Sequence, residues 1–197
     1  CYGDPRDLHL RLRRQRQMCI RDRIGINDFS IQAADIDERA LARELPPAYA
    51  LRIAKKKAEK VGKQNENSFV LAADTVVACG RRIMPKAETE AEANSCLNLL
   101  SGRRHKVLGA VVIYSPNGTQ IYRVVKSVVT FKKLTQEEIN FYLKTREWEG
   151  KAGGYAIQGL AATYIRALNG SYSNVVGLPL YETYQMFRGM GFKYKVP

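Results

Sequence analysis

Histidine is scarce in this chain, with only His9 and His105 in 197 residues, and the four cysteines (Cys1, Cys19, Cys79, Cys96) form no CxxC pair. A zinc site built from nitrogen and sulfur ligands is therefore not expected. No apolar run approaches the roughly 18 residues that a membrane span needs. The Arg-rich N-terminus has no apolar signal core. With few cysteines and no signal, a reduced, cytoplasmic setting is expected, without a membrane partner. The sequence has no GxxxxGKS/T loop, no GxGxxG and no HExxH, which sets aside P-loop ATPases, the dinucleotide fingerprint and zinc proteases. Ser171 has no nearby histidine, so a Ser-His hydrolase is unsupported. Asn117-Gly118-Thr119 and Asn169-Gly170-Ser171 match the glycosylation pattern, yet without a signal peptide they read better as turns.

What is abundant is positive charge. The formal net charge is +13, with an ordinary apolar fraction of 45%. Such a balance suits a nucleic-acid binder and equally an enzyme for a polyanionic small substrate. The charge is unevenly made: residues 1–26 hold seven Arg and no Lys, whereas the remainder mixes 14 Lys with 11 Arg. Residues 1–23 show neither helical nor strand periodicity. They read as a disordered or foreign basic segment in preference to a nucleic-acid arm, and residues 24–197 as one domain with no repeats and no linker.

From Ile24 onward the signals are regular. Phe29-Ser30-Ile31 reads as a short strand leading into Asp35-Ile36-Asp37-Glu38. Pro46-Pro47 opens a helix to about Val61, since proline is tolerated in a first turn. Ser68 to Ala73 reads as a buried strand ending at Asp74. A second helix spans about Glu88 to Leu100 and stops at Ser101-Gly102. Val107–Tyr114 and Gln120–Phe131 flank Pro116-Asn117-Gly118, a strong hairpin signal. Thr135 with Glu138 forms a capping box before a helix to about Lys144. Strands near Tyr155–Ile157 and Thr163–Leu168, then a helix over Leu178–Met190, complete an α/β fold.

Several residues carry candidate chemistry. An acid after a buried strand sits at the carboxyl edge where open α/β sheets bind ligands. There Asp74 could hold a divalent cation or take a proton from water; it could equally be a cap. Glu38 is a second carboxylate that could share a cation, or belong to a solvated acidic turn. Lys57 shares a stripe at spacing four with Tyr49 and Ile53, and so could reach a phosphate from the edge of the packed face or simply snorkel. Lys86, after Pro85 in a loop, suits a phosphate contact as a point charge, though loop lysines are usually solvated. The glycine-dense run 150–159 lets backbone N–H groups approach an anion or a base, and Gln158 could pair with a base edge; tight turns are the plainer account. Gly170 to Pro179 is a polar loop opening a helix, whose N-terminus could accept phosphate. His105, after Arg103-Arg104, reads as structural or exposed.

Together these pieces resemble the Maf family of nucleotide pyrophosphatases, from about Ile24 to Phe192. The resemblance is carried by Ala73-Asp74-Thr75-Val76-Val77, by Leu100-Ser101-Gly102 with His105, by Lys151-Ala152-Gly153-Gly154-Tyr155-Ala156-Ile157-Gln158-Gly159, and by Gly170-Ser171-Tyr172 through Val176-Gly177-Leu178-Pro179-Leu180. It implies an α/β fold around a mixed, elongated sheet with flanking helices and a cleft for a nucleoside triphosphate. It implies cleavage to the monophosphate and pyrophosphate with a divalent cation, Mg²⁺ or Mn²⁺, for which Asp74 and Glu38 are the candidate ligands from their carboxylate chemistry. Asp74 then matches the proton-accepting acid, Glu38 a site acid, and Lys57 and Lys86 site lysines. Thr75 and Gln158 match positions of the branch that prefers dTTP and UTP, while the sister branch acts on 7-methyl-GTP. A homodimer is compatible with the resemblance, and nucleic acid is not the implied partner.

Two features depart from the family pattern. Around Lys86 the sequence reads Met84-Pro85-Lys86-Ala87 in place of Gly-Lys-Pro. The family's opening Ser-x-Ser-Pro-Arg-Arg loop, which grips phosphates, is missing, and no serine precedes Ser30. Arg13-Arg14 resemble its end and are the candidate phosphate contacts. At the matching spacing stand Arg16 and Gln17, which makes Arg16 a candidate for substrate selection. Neither register restores the loop.

Overall fold

The computed structural model describes residues 24–26, 29–65 and 67–194. The basic N-terminal segment, with Arg13, Arg14 and Arg16, lies outside the described residues.

The chain runs α1 (Pro46–Gly62), β1 (Val70–Cys79), β2 (Arg82–Ile83), β3 (Lys86–Ala87), α2 (Glu90–Leu100), β4 (Arg104–Tyr114), β5 (Gln120–Phe131), α3 (Gln136–Thr145) and β6 (Lys151–Ala152). A 3₁₀ turn (Leu160–Tyr164), β7 (Ile165–Asn169), α4 (Tyr172–Val176) and α5 (Leu180–Gly189) follow. Five strands form one sheet in the order β2-β1-β4-β5-β7, and β3 pairs with β6 in a two-stranded sheet. Every pairing among the described residues is antiparallel.

Local rules explain most of these elements. Pro46 starts α1 at a position where its missing N–H costs nothing. Thr89 with Glu92 and Thr135 with Glu138 form complete capping boxes at α2 and α3, each satisfying two otherwise orphaned backbone donors. The β4–β5 hairpin turns at Pro116-Asn117-Gly118, where Gly118 takes a positive φ of 81°.

The side-chain period of two assigns each face of the central sheet. Val76, Leu108, Ala110 and Val112 pack against Ala50, Ala54 and Ala58 of α1. The small helix residues let α1 lie close to the sheet. On the opposite face, Val111 and Ile113 meet Leu178, Met186 and Phe187 from the α5 region. A third cluster joins Val77, Val107, Val129 and Phe131 to Leu97, Leu100, Ile139, Tyr142 and Trp148 from α2, α3 and the turn after α3. Truncating a ring as fully buried as Phe131 costs about 3–5 kcal/mol.

Several expectations are corrected. Phe29-Ser30-Ile31 forms no strand; it is part of an irregular segment that runs to α1. Tyr155–Ile157 is likewise not a strand, because Tyr155 and Ile157 are buried as anchors of turns while the strand pairing falls on Lys151–Ala152. Lys86 lies in the short strand β3 paired with β6, not in a free loop. The strand expected near Thr163–Leu168 begins two residues later, after the 3₁₀ turn.

Candidate active site

β1 does not end at Asp74. It continues through Thr75-Val76-Val77 to Cys79, and Asp74 pairs with Ala110 of β4 in mid-strand. The ligand-edge argument from parallel sheets therefore does not apply, and a different geometry exposes this acid. β4 flanks β1 from Val70 to Ala78, but β2 flanks the other side only at Ala78 and Cys79. Among the described residues, the stretch Val70–Val76 thus has one open edge. Asp74 projects from the α1 face and Thr75 from the opposite face, and both reach a cavity of about 160 Å³ that wraps this edge.

The α1 stripe meets the strand there. Lys57 Nζ donates to Asp74 Oδ1 at 2.9 Å and lies 2.7 Å from Glu38 Oε1. Lys86 Nζ donates to Glu38 Oε2 at 2.7 Å. The result is an alternating chain, Asp74–Lys57–Glu38–Lys86. Lys57, Asp74, Thr75, Lys86 and Gln158 line one cavity, and Glu38 and Lys57 line an adjoining cavity of about 1040 Å³. All the described candidate site residues are brought together.

Environment drives the two carboxylates apart. Asp74 is 7% exposed, and burial raises its pKa above the ordinary carboxylate range, against the pull of Lys57 and Lys86. Glu38 also suffers from burial, but hydrogen bonds from Lys57 and Lys86 outweigh it and lower its pKa. Burial alone would lower Lys57; Asp74 and Glu38 reverse that and raise it. Separated carboxylates of this kind mark a proton acceptor beside a group that stays charged. Here Asp74 has the raised basicity and Glu38 the fixed charge.

Glu38 is held in place although its own segment is irregular. Tyr49 Oη donates to the Glu38 carbonyl at 2.7 Å, and Arg52 donates to the Arg39 carbonyl at 2.9 Å while gripping Glu44. Tyr49 is a functional neighbour that sequence reasoning left as a packing residue. Its signal was present, because Tyr49, Ile53 and Lys57 share one stripe. Lys151, the one lysine within the glycine-dense run, also lines the cavity.

The far wall comes from the glycine-dense run and from α4. Gly153 has φ 71°, and a Cβ there would lie 2.8 Å from Val77 Cγ1, so the run can pack on β1 only with glycine at that position. Thr75 Oγ1 donates to the Gly177 carbonyl at 3.2 Å, which ties β1 to the loop after α4. α4 itself is a single short turn within the polar loop. His105 is structural: it is 1% exposed, and its Nε2 shares a 2.8 Å hydrogen bond with Tyr155 Oη.

Asp74 and Glu38 offer only oxygen donors, and both reach the same lysine ammonium. That chemistry fits a hard cation such as Mg²⁺ or Mn²⁺ taking its other ligands from phosphate and water. Among the described residues no cluster of three or more His, Cys, Asp or Glu side chains gathers.

The fold and this site define an α/β domain with an acid–lysine chain beside a cavity, and comparison with known families places it. The profile of the Maf family, described as Maf-like protein, matches residues 14–190, and the chain belongs to that family. A dTTP/UTP pyrophosphatase of Paramagnetospirillum magneticum is 52% identical over 177 residues, covering 90% of this chain and 93% of the relative. A dTTP/UTP pyrophosphatase of Caulobacter vibrioides is 49% identical over 178 residues, covering 90% and 92%. A nucleoside triphosphate pyrophosphatase of Ehrlichia canis is 48% identical over 172 residues, covering 87% and 90%. Among the described residues no helix is long and apolar enough to cross a membrane.

Proposed function

We propose that this chain hydrolyses dTTP and UTP to the nucleoside monophosphate and pyrophosphate. The observation that carries the reading is Lys57 bridging Asp74 and Glu38 at the rim of a cavity that Thr75, Lys86 and Gln158 also line. The names of relatives at about 50% identity support the same substrates.

In the proposed reaction a water oxygen bonds to the α-phosphorus. The bond from that phosphorus to the bridging oxygen of the β-phosphate breaks, and pyrophosphate leaves. Asp74 takes the proton from the attacking water, and burial raises its basicity in the direction that role needs. Lys57 holds Asp74 in position and, with Lys86, balances charge on the departing pyrophosphate. Glu38 keeps both lysines oriented. Asp74 and Glu38 would hold Mg²⁺ or Mn²⁺, which supplies Lewis-acid charge neutralisation on the triphosphate. Gln158 presents an amide donor and acceptor to the base edge, and Thr75 shapes the opposite wall. Arg13 and Arg14 would contact phosphate and Arg16 would contribute to substrate choice, on the strength of the sequence resemblance.

The test is a substrate panel with pyrophosphate detection, comparing dTTP, UTP and 7-methyl-GTP, on the parent and Asp74→Asn. Expected are parent turnover of the two pyrimidine nucleotides above 7-methyl-GTP, and a loss of at least about 10²-fold in kcat for Asp74→Asn. Release of pyrophosphate by Asp74→Asn at the parent rate would overturn the assignment of Asp74. Preference for 7-methyl-GTP would move the chain to the sister branch.

A further inference from the structure

Gln158 reads a base only if its backbone is fixed, and the structure shows how it is fixed. The turn that carries it closes with Gly159 N donating to the Ala156 carbonyl at 3.1 Å. Two side chains clamp this turn from behind. Ala156 N donates to Tyr142 Oη at 3.1 Å, and Leu160 N donates to Glu147 Oε2 at 2.8 Å. The clamps fall two residues before and two residues after Gln158. Gly159 shows how close the second one is: a Cβ there would stand 2.0 Å from Glu147 Oε2, although its φ of −106° is open to any residue. A side chain at this position would push the Glu147 carboxylate off the Leu160 N–H, so the glycine leaves room for the clamp.

The clamps are themselves anchored. Tyr142 is fully buried in α3, and its ring meets that of Tyr164 edge-on at 6.0 Å. Glu147 sits in the turn after α3, where its N–H donates to Thr145 Oγ1 at 3.2 Å and the neighbouring Trp148 Nε1 donates to the Leu143 carbonyl at 2.9 Å. Tyr155 and Ile157 on either side of Ala156 are buried, whereas Gln158 is exposed to the cavity. Neither Tyr142 nor Glu147 lines that cavity.

We propose that Tyr142 and Glu147 are positioning residues that set base selectivity by holding the backbone on both sides of Gln158. The inference rests on the reading of Gln158 as the base-contacting residue. An amide pairs with a base edge only within a narrow range of distance and angle. Releasing one clamp lets the turn move and weakens that pairing, while the Asp74–Lys57–Glu38–Lys86 chain across the cavity is untouched.

The experiment measures kcat and KM for dTTP, UTP and 7-methyl-GTP with Glu147→Ala, Glu147→Gln, Tyr142→Phe and Gln158→Ala, and with Glu147→Ala combined with Gln158→Ala. Equilibrium binding of an α,β-methylene analogue of dTTP gives the same comparison without turnover. Glu147→Ala and Tyr142→Phe are expected to raise KM and Kd for the pyrimidine nucleotides about tenfold, with kcat within about twofold and with reduced preference over 7-methyl-GTP. Glu147→Gln keeps an acceptor oxygen and should restore most of the preference. In the Gln158→Ala background, Glu147→Ala should add little, because the two act through one contact. Additive losses, or equal losses for pyrimidine and 7-methyl-guanine nucleotides, overturn the proposal while leaving the proposed activity standing. A parent that prefers 7-methyl-GTP overturns the pyrimidine reading, and the Glu147–Gln158 cycle on that nucleotide still decides the positioning role. A parent that binds no triphosphate overturns both.

Discussion

His105 shows how a single buried group can write itself into the pH dependence of the whole fold. Its ring is enclosed by Phe131 and Tyr155, with centroids 5.1 and 5.4 Å away. Burial lowers its pKa from 6.5 to about 4. The unfolded chain therefore binds a proton near pH 6.5 that the folded chain refuses until about pH 4. Stability from this group is fully present above pH 6.5, falls as pH drops through the window, and levels off below about 4. The loss is on the order of 3 kcal/mol, since each pKa unit is worth about 1.4 kcal/mol. Urea unfolding of the parent and of His105→Gln at several pH values checks this. The difference between their stabilities should shrink from pH 7 to pH 4, and a constant difference would count against a neutral buried His105. Glu38 illustrates the opposite case, because hydrogen bonds from Lys57 and Lys86 outweigh its burial and lower its pKa.

The helices and strands differ in how far local rules determine them. α3 is determined locally at its start, where Thr135 Oγ1 accepts from Glu138 N at 3.2 Å and Glu138 Oε2 accepts from Thr135 N at 3.0 Å. Thr135→Ala should cost about 1 kcal/mol, seen as a lower urea midpoint. kcat for dTTP should stay at the parent value, because no residue at the start of α3 lines the cavity. That box was readable in the sequence, as were the proline entry to α1, the Asn117-Gly118 hairpin and the Tyr49–Ile53–Lys57 stripe. What was misread depends on partners distant in sequence. The apolar run before Asp74 reads as ending at that acid; the continuation through Thr75-Val76-Val77 is fixed by pairing with β4, a partner more than 25 residues further along the chain. Tyr155 and Ile157 look like a strand by composition, yet His105 and the α3 cluster recruit them as anchors. Glu38 and Lys86 stand 48 residues apart, and nothing local to either predicts the 2.7 Å contact that the irregular segment along α1 brings about.

For the molecule as a whole, the question left by a net charge of +13 is where that charge acts. Several cations are already engaged within the fold: Lys132 pairs with Glu138, Arg52 with Glu44, Arg39 with Asp37, and Lys55 lies 4.3 Å from the centre of the Tyr122 ring. Lys57 and Lys86, themselves paired with Asp74 and Glu38, line the cavity together with Lys151. A groove for single-stranded nucleic acid would set aromatic faces in a row along a basic track. Here the large exposed aromatic residues, Tyr122, Phe141, Tyr172, Tyr181 and Tyr184, are divided among β5, α3, α4 and α5. Focused charge at a small cleft and diffuse charge over a surface respond differently to salt. Binding of a triphosphate uses a few short-range contacts, so KM for dTTP should rise only severalfold from about 0.05 to 0.5 M salt while kcat holds. Duplex DNA held by 6–10 phosphate contacts would instead lose about 10³–10⁵ in affinity between roughly 0.05 and 0.2 M salt. Steady-state kinetics across that range, with and without added duplex DNA, separates the two. The expected outcome is saturable dTTP turnover that DNA does not inhibit at about 0.15 M salt; inhibition there by micromolar DNA would mean that the surface charge, not the cleft, is the principal binding feature of this molecule.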